Sequence, residues 1–214
     1  DDRNYGSFAG MAKTEAARPD GIEAVSIVTP NHMHWPAAKA FLQAGIHVIC
    51  DKPMTSNLAD AKKLAALVEK SGKLFILTHN YTGYPMMRQA REMVADGLLG
   101  DIRVVQAEYP QDWLTEEIEK TGAKQAVWRT DPKQSGVGGA TGDIGTHAYN
   151  LARFVSGLEL DSLSADLSAF GAGRQLDDNM NVMLRFKAKG KAPAARGMIW
   201  ASQVAPGTKN GLRI

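Results

Sequence analysis

One cysteine in 214 residues, Cys50, leaves nothing to pair with inside the chain. An internal disulfide framework and a thiolate metal cage are both excluded, and a reducing, cytoplasmic compartment is the default expectation. No apolar run approaches the roughly 18 residues of a membrane helix. The first residues, Asp1 to Gly6, are acidic and polar where a secretory leader is basic and then greasy. Nor does one sign of charge dominate. The 25 Lys and Arg are balanced by 23 Asp and Glu for a net charge of +2. Both signs are interleaved, so the electrostatic footprint of a nucleic-acid or anionic-membrane binder is missing. The dinucleotide fingerprint is absent too. Read as G-x-G-x-x-G from Gly136, the last position falls on Thr141, and no Val/Ile-rich strand comes immediately before. What is present is 44% hydrophobic residues against 22% charged, the composition of a packed chain of one large or two modest domains. The chain begins without Met inside a helical pattern and stops at Gly211 to Ile214 as if entering a strand. A piece of a longer protein is therefore expected.

Phe8, Met11, Ala12 and Ala16 are spaced as the buried stripe of a short helix that Pro19, Asp20 and Gly21 stop. Ala24 to Thr29 is a short apolar run rich in β-branched residues, the type buried on both faces of a parallel sheet. A helix follows with Ala38, Phe41 and Leu42 on its stripe, Asn31 as N-cap and Gly45 at its end. His47 to Cys50 is a second strand. Ser56 or Asn57 caps a helix with Ala61, Leu64, Ala65 and Val68 inward and Gly72 at its end, and Leu74 to Thr78 is a third strand. Strands separated by helices of this length need crossover connections, which gives a parallel sheet and an α/β architecture. The strands end in Thr29-Pro30-Asn31, Asp51-Lys52-Pro53 and His79-Asn80-Tyr81, and ligands of open α/β sheets bind at that carboxyl edge.

Beyond Tyr84 a helix with Met87, Ala90 and Val94 inward ends near Gly97, and the pattern changes. Val104 to Tyr109, Ser162 to Phe170, Asn179 to Phe186 and Arg196 to Val204 read as longer strands with one substantial helix between them, starting near Gly142. The economical reading is a second, α+β domain with an open, mostly antiparallel sheet. The boundary falls between residues 83 and 100, which gives domains of 1–83 and 84–214.

Two clusters carry chemistry. Lys52 stands between Asp51 and Pro53 at the end of a strand, where proline fixes the turn and aims the lysine out of the sheet edge. A lone Lys-Pro is by itself compatible with an ordinary surface lysine beside a turn. In GVGGATGDIGTHAYN, residues 136–150, Asp143 and His147 are four apart. A helix from Gly142 stacks them on one face with Asn150 continuing it, and the helix dipole favours an ionised Asp143. A solvated i, i+4 pair fits the same spacing, but the preceding glycines permit a close approach of backbone to ligand. Trp35, Met33, Cys50, His32 and His47 read as packing, loop or surface residues, and Lys62, Lys63, Lys70 and Lys73 as a solvated helix face.

Four segments in order, VSIVTPNHMH, HVICDKP, THNYTGYP and WRTDPKQSGVGGATGDIGTHAYN, resemble the motifs of the glucose-fructose oxidoreductase/inositol dehydrogenase (Gfo/Idh/MocA) family. The resemblance spans most of residues 1–190. It implies the C-terminal half of a Rossmann domain, followed by a substrate and oligomerisation domain. It also implies NAD- or NADP-dependent oxidation of a sugar or cyclitol hydroxyl and a homo-oligomer, dimer or tetramer. By motif, Lys52, Asp143 and His147 are the implied catalytic set. His147 takes the hydroxyl proton, Lys52 steadies the developing alkoxide, and Asp143 orients substrate or base. Thr29, Pro30, Asn31, His34, Asp51, Lys52, Asn80, Trp128 and Arg129 correspond to cofactor-binding positions. Lys52, Tyr84, Asp143, His147 and Asn150 correspond to substrate positions, and no metal is implied. Three positions depart from the pattern: Asp51 stands for the usual Glu, Asn150 for a frequent Asp, and Thr82 for the usual Arg.

Two other readings stay open. A metal-dependent hydrolase of amidohydrolase type would use His32 and His34 with Lys52, His79 and Asp143, but its barrel needs eight βα units where three are visible. A non-catalytic fragment is the other, with the Ala24 to Thr29 strand as an unpaired edge.

Overall fold

The first helix starts at Ser7, whose hydroxyl accepts from the Gly10 amide and caps α1, Phe8–Ala16. In the computed structural model, which describes residues 3–188, 190, 193–205 and 212–214, the chain divides into two compact units. One is residues 1–78 with 133–137, and the other is residues 79–132 with 138–214.

In the first unit, β1 (Ala24–Ile27), β2 (His47–Asp51) and β3 (Phe75–Thr78) form a parallel sheet in that order, with Ile27 beside Cys50 and Asp51 beside Thr78. The crossovers are α2 (His34–Gln43) and α3 (Leu58–Ser71). Each ends where glycine takes a left-handed backbone, at Gly45 (φ 82°) and Gly72 (φ 64°). Asn57 caps α3 by accepting from the Asp60 amide. Ile27, Val48 and Cys50 pack against Ala12, Ala37, Ala38, Phe41, Leu42 and Leu64. Each of the large side chains contributes about 1.5–3 kcal/mol by leaving water.

In this chain the helices cover one face of the sheet, and Ser26, Ile49 and Ile76 share the opposite face. One expectation is corrected here. Asn31 is not the cap of α2. A 3-10 turn, Asn31–Met33, intervenes, and the buried Asn31 amide donates to the Ser135 carbonyl at 2.8 Å.

The second unit opens with α4 (Pro85–Ala95) and β4 (Val104–Pro110), followed by the short helix α5 (Lys124–Thr130); the next, α6 (Pro132–Ser135), lies almost wholly in the first unit. The chain passes to the first unit at residues 133–137 and returns. Then come α7 (Thr146–Ser156), β5 (Leu160–Ser168), β6 (Asn179–Phe186) and β7 (Arg196–Ser202). The sheet order is β4-β7-β6-β5, antiparallel except for the β4–β7 pair. Strict alternation on β6 buries Met180, Val182, Leu184 and Phe186 and exposes Asn181, Met183 and Arg185. Ala148, Ala152 and Ile144 pack on that buried face. Contact is close at Gly145, where a Cβ would lie 2.3 Å from Met180 Sδ and would displace the end of that side chain. No helix among the described residues is long and apolar enough to cross a membrane.

The helix that carries Asp143 and His147 also differs from expectation. It does not run as plain α-helix from Gly142, because Thr141–Gly145 forms a π turn that leads into α7. The i→i+5 turn inserts a residue and changes the phase between the two side chains, a local feature that single-residue periodicity does not encode.

Candidate active site

At the carboxyl edge of the first unit, the loops after β1 and β2 are tied together by one side chain. His34 is fully buried, with Nδ1 2.7 Å from the Pro53 carbonyl and Nε2 2.9 Å from the Thr29 carbonyl. Asp51 closes β2, and its Oδ1 accepts from the Lys52 amide at 2.9 Å and from the Thr78 hydroxyl at 2.8 Å. Thr29 is exposed, and Pro30, Asp51 and Lys52 are half-buried. The structure thus gathers Thr29, Pro30, Asp51 and Lys52 at the ends of adjacent parallel strands, where the nicotinamide half of a dinucleotide needs a short run of hydrogen-bonding groups. That donor and acceptor set fits such a cofactor. Asn31 and His34 turn their polar atoms inward and shape the loop.

The second cluster lies within the second unit. His147, on α7, is buried, and its ring meets Tyr81 edge-on at 4.9 Å, His79 at 5.9 Å and Tyr109 at 6.3 Å between centroids. The hydroxyls of Tyr81 and Tyr109 are hydrogen-bonded to each other. Burial, and then that bond, holds the Tyr81 phenol protonated well above the usual tyrosine range. Asp143 is held by two groups at one oxygen. Gln203 Nε2 donates to Oδ2 at 2.9 Å, and Arg129 Nε lies 3.3 Å from it. Arg129 in turn stacks on Trp128 at 4.1 Å and faces Trp113 at 6.0 Å. Asn80 is exposed at the start of a 3-10 turn, Tyr84 is exposed with its ring 5.6 Å from Tyr81, and Asn150 is half-buried one turn beyond His147.

Of the residues singled out from sequence, the structure joins Arg129 to Asp143 and places His147 beside the segment that carries Asn80 and Tyr84. Trp113, Asp177 and Gln203 escaped the sequence reading, which placed Tyr81 at a strand's carboxyl end and Tyr109 on a strand without giving either a role. Gln203 left one trace, a polar residue ending an inward-facing apolar strand. The hydrolase alternative fails on geometry. Both ring nitrogens of His34 lie against carbonyl oxygens inside the loop, so neither is directed at a metal position. Among the described residues, no three His, Cys, Asp or Glu form a group that could hold one.

The chain is thus a parallel βα unit followed by an open mixed sheet whose helix carries a half-buried Asp143 and a buried His147, and comparison gives the class and the family. Residues 4–79 match the family model described as oxidoreductase family, NAD-binding Rossmann fold, and residues 87–214 match that of the GFO/IDH/MocA C-terminal domain. The chain belongs to the Gfo/Idh/MocA oxidoreductase family. It is similar to an oxidoreductase from Sinorhizobium meliloti whose structure is known, at 58% identity and a TM-score of 0.85, covering 99% of this chain and 53% of that one. An inositol dehydrogenase homolog from Azotobacter vinelandii complexed with NAD+ matches at 33% identity and a TM-score of 0.90, covering 97% of this chain and 52% of that one. Levoglucosan dehydrogenase of Pseudarthrobacter phenanthrenivorans is 29% identical over 90% of this chain and 52% of its own length. The chain spans about half the length of the curated relatives it matches.

Proposed function

We propose that this chain is part of an NAD- or NADP-dependent dehydrogenase that oxidises one hydroxyl of a sugar, sugar derivative or cyclitol. The observation that carries the proposal is the anchored Asp143 and the aromatic-walled His147 on one helix, in a chain that matches both family models. When bound, the nicotinamide supplies the hydride acceptor. The chain's own residues manage the proton and the orientation. Neutral imidazole has a suitable basicity near pH 7, so His147 takes the hydroxyl proton, and its edge-on contacts with Tyr81 and Tyr109 fix the ring plane. Asp143, anchored at Oδ2, orients the substrate hydroxyl or the base. Lys52 donates to the reacting oxygen and stabilises its alkoxide character, as an amine fixed at a strand end can do without reorganising.

Thr29, Pro30, Asp51, Asn80, Trp128 and Arg129 contact the cofactor, with Asn31 and His34 holding the loop in shape. Tyr84 and Asn150 line the substrate side. A homo-oligomer, dimer or tetramer, and a cytoplasmic location complete the reading. The test is a screen of the full-length protein against aldoses, anhydrosugars and cyclitols with both cofactors, following absorbance of reduced nicotinamide. Turnover of at least one polyol is expected. No turnover across the panel, with cofactor binding intact, refutes the substrate class.

A further inference from the structure

Asp177 lies outside every motif of the sequence, yet it satisfies the start of the helix that carries both proposed catalytic groups of the second unit. Its Oδ1 accepts from the Gly139 amide at 2.8 Å, and its Oδ2 accepts from the Thr141 amide and the Thr141 hydroxyl, each at 2.7 Å. Its own carbonyl accepts from the Ala140 amide at 2.7 Å. Three successive amides at a helix entrance, which would otherwise lack partners, are therefore held by one residue. The fit is tight, since a Cβ on Gly139 would lie 2.1 Å from the Asp177 carbonyl oxygen.

The π turn begins at Thr141, the residue this carboxylate grips twice, and Asp143 and His147 follow two and six residues later. Since helix phase propagates from its first fixed turn, the clamp sets which way both side chains emerge. With the present phase, Asp143 meets Gln203 and Arg129, and His147 meets Tyr81. Charge-assisted bonds from backbone amides to a carboxylate are stronger than neutral ones, so the clamp resists rotation of the turn.

We propose that Asp177 is a positioning residue for the dehydrogenation: it locks the π turn so that Asp143 and His147 hold their working directions. The inference rests on the function proposed above. Asp177→Asn in the full-length protein is the central variant. An amide keeps the volume but sets an N–H against an amide N–H, so part of the clamp is lost. Misplacement of this kind costs about 10- to 100-fold in kcat. The expectation is a fall of that size with NAD(H) affinity unchanged. The C2 proton resonance of His147, identified by its disappearance in His147→Ala, should also shift, because the ring lies edge-on to two tyrosines. That readout needs no substrate.

Each outcome decides. If His147→Ala is inactive while Asp177→Asn keeps the parent kcat and the parent His147 resonance, the positioning role is wrong and the function stands. If His147→Ala turns over at the parent rate, His147 is not the proton acceptor and the positioning role falls with it, while no turnover of any polyol by the parent protein is the separate result that refutes the function. A loss of kcat in Asp177→Asn accompanied by an equal loss of NAD(H) affinity marks a general folding role and overturns the inference. Should Asp177→Asn not fold, Thr141→Val removes one bond alone. A lowered kcat that Thr141→Ser restores supports the clamp, and an unchanged kcat in Thr141→Val refutes it.

Discussion

The two units hold their candidate residues in place by different means. In the first, most supports come from adjacent strands and their loops: Asp51 bonds its own neighbour Lys52 and the adjacent strand's Thr78, and His34 joins two loops that follow consecutive strands, with Asn31, bonded to Ser135, the exception. In the second, each group is fixed by residues far along the chain, Asp143 by Gln203 and the helix entrance by Asp177. A parallel βα unit places its loops chiefly through strand order, so a local motif carries most of its own support. A helix on a mixed sheet has no such guarantee, and its phase must be pinned from elsewhere.

This contrast can be broken by experiment, most severely at the base. His147→Ala should lower kcat by about 10²–10⁴-fold with NAD(H) affinity retained, the span that general-base removal covers. Steady-state kinetics beside cofactor titration checks it. Lys52→Ala, its counterpart in the first unit, should cost about 10²-fold, the lower end of what one oxyanion-stabilising donor is worth. A parent kcat in that variant would mean that the strand-end lysine serves structure alone.

The two cores should be equally sensitive. Phe41→Ala in the first unit and Phe186→Ala in the second each empty a fully buried site. Each should destabilise by about 3–5 kcal/mol, read as a lowered melting temperature. A much smaller cost in one would show that its unit collapses to fill the space.

Acid should act on the second unit through Glu119. Its hydrogen bond and charge pairing with the buried Arg174 hold the carboxyl below the ordinary glutamate range. A carboxylate with a depressed folded-state pKa contributes stability that is present above its unfolded pKa and is lost as pH falls through the folded one. Glu119→Gln should lower stability at neutral pH, where the pairing is fully formed, and so flatten the acid limb, the two profiles converging in acid; an unaltered limb would assign acid sensitivity elsewhere. The smallest effect is expected at Cys50. Burial pushes its thiol up to about 12, so a thiol reagent at neutral pH should label the native protein negligibly. Rapid labelling would mean that the first unit opens.

Much of the fold was legible because hydrophobic period and glycine placement are local signals. The alternation of Met180, Val182, Leu184 and Phe186 reads as a strand buried on one face, and Gly45 and Gly72 mark helix ends that need positive φ. Asn31 misled because an Asn before a helical stripe looks the same whether its amide caps that helix or reaches Ser135. At the candidate site, Asp143 and His147 were visible as a pair four apart, and the family resemblance gave that pair its proposed role. Their supports were not visible, since an ordinary polar residue such as Gln203 or Asp177 carries no pattern until the sheet brings it to its partner.

The amino-acid order alone fixed two periodicities, one of crossover βα units and one of longer alternating strands, together with a Lys-Pro turn and an Asp-x-x-x-His helix. Tertiary structure decided which atoms those groups face: the phase of the π turn, the grip of Asp177 on Thr141, and the tyrosine wall around His147. The division has a physical cause. Backbone preference and burial act over a few neighbouring residues, whereas a hydrogen bond between groups 36 or 60 positions apart exists only once the sheet has closed the distance.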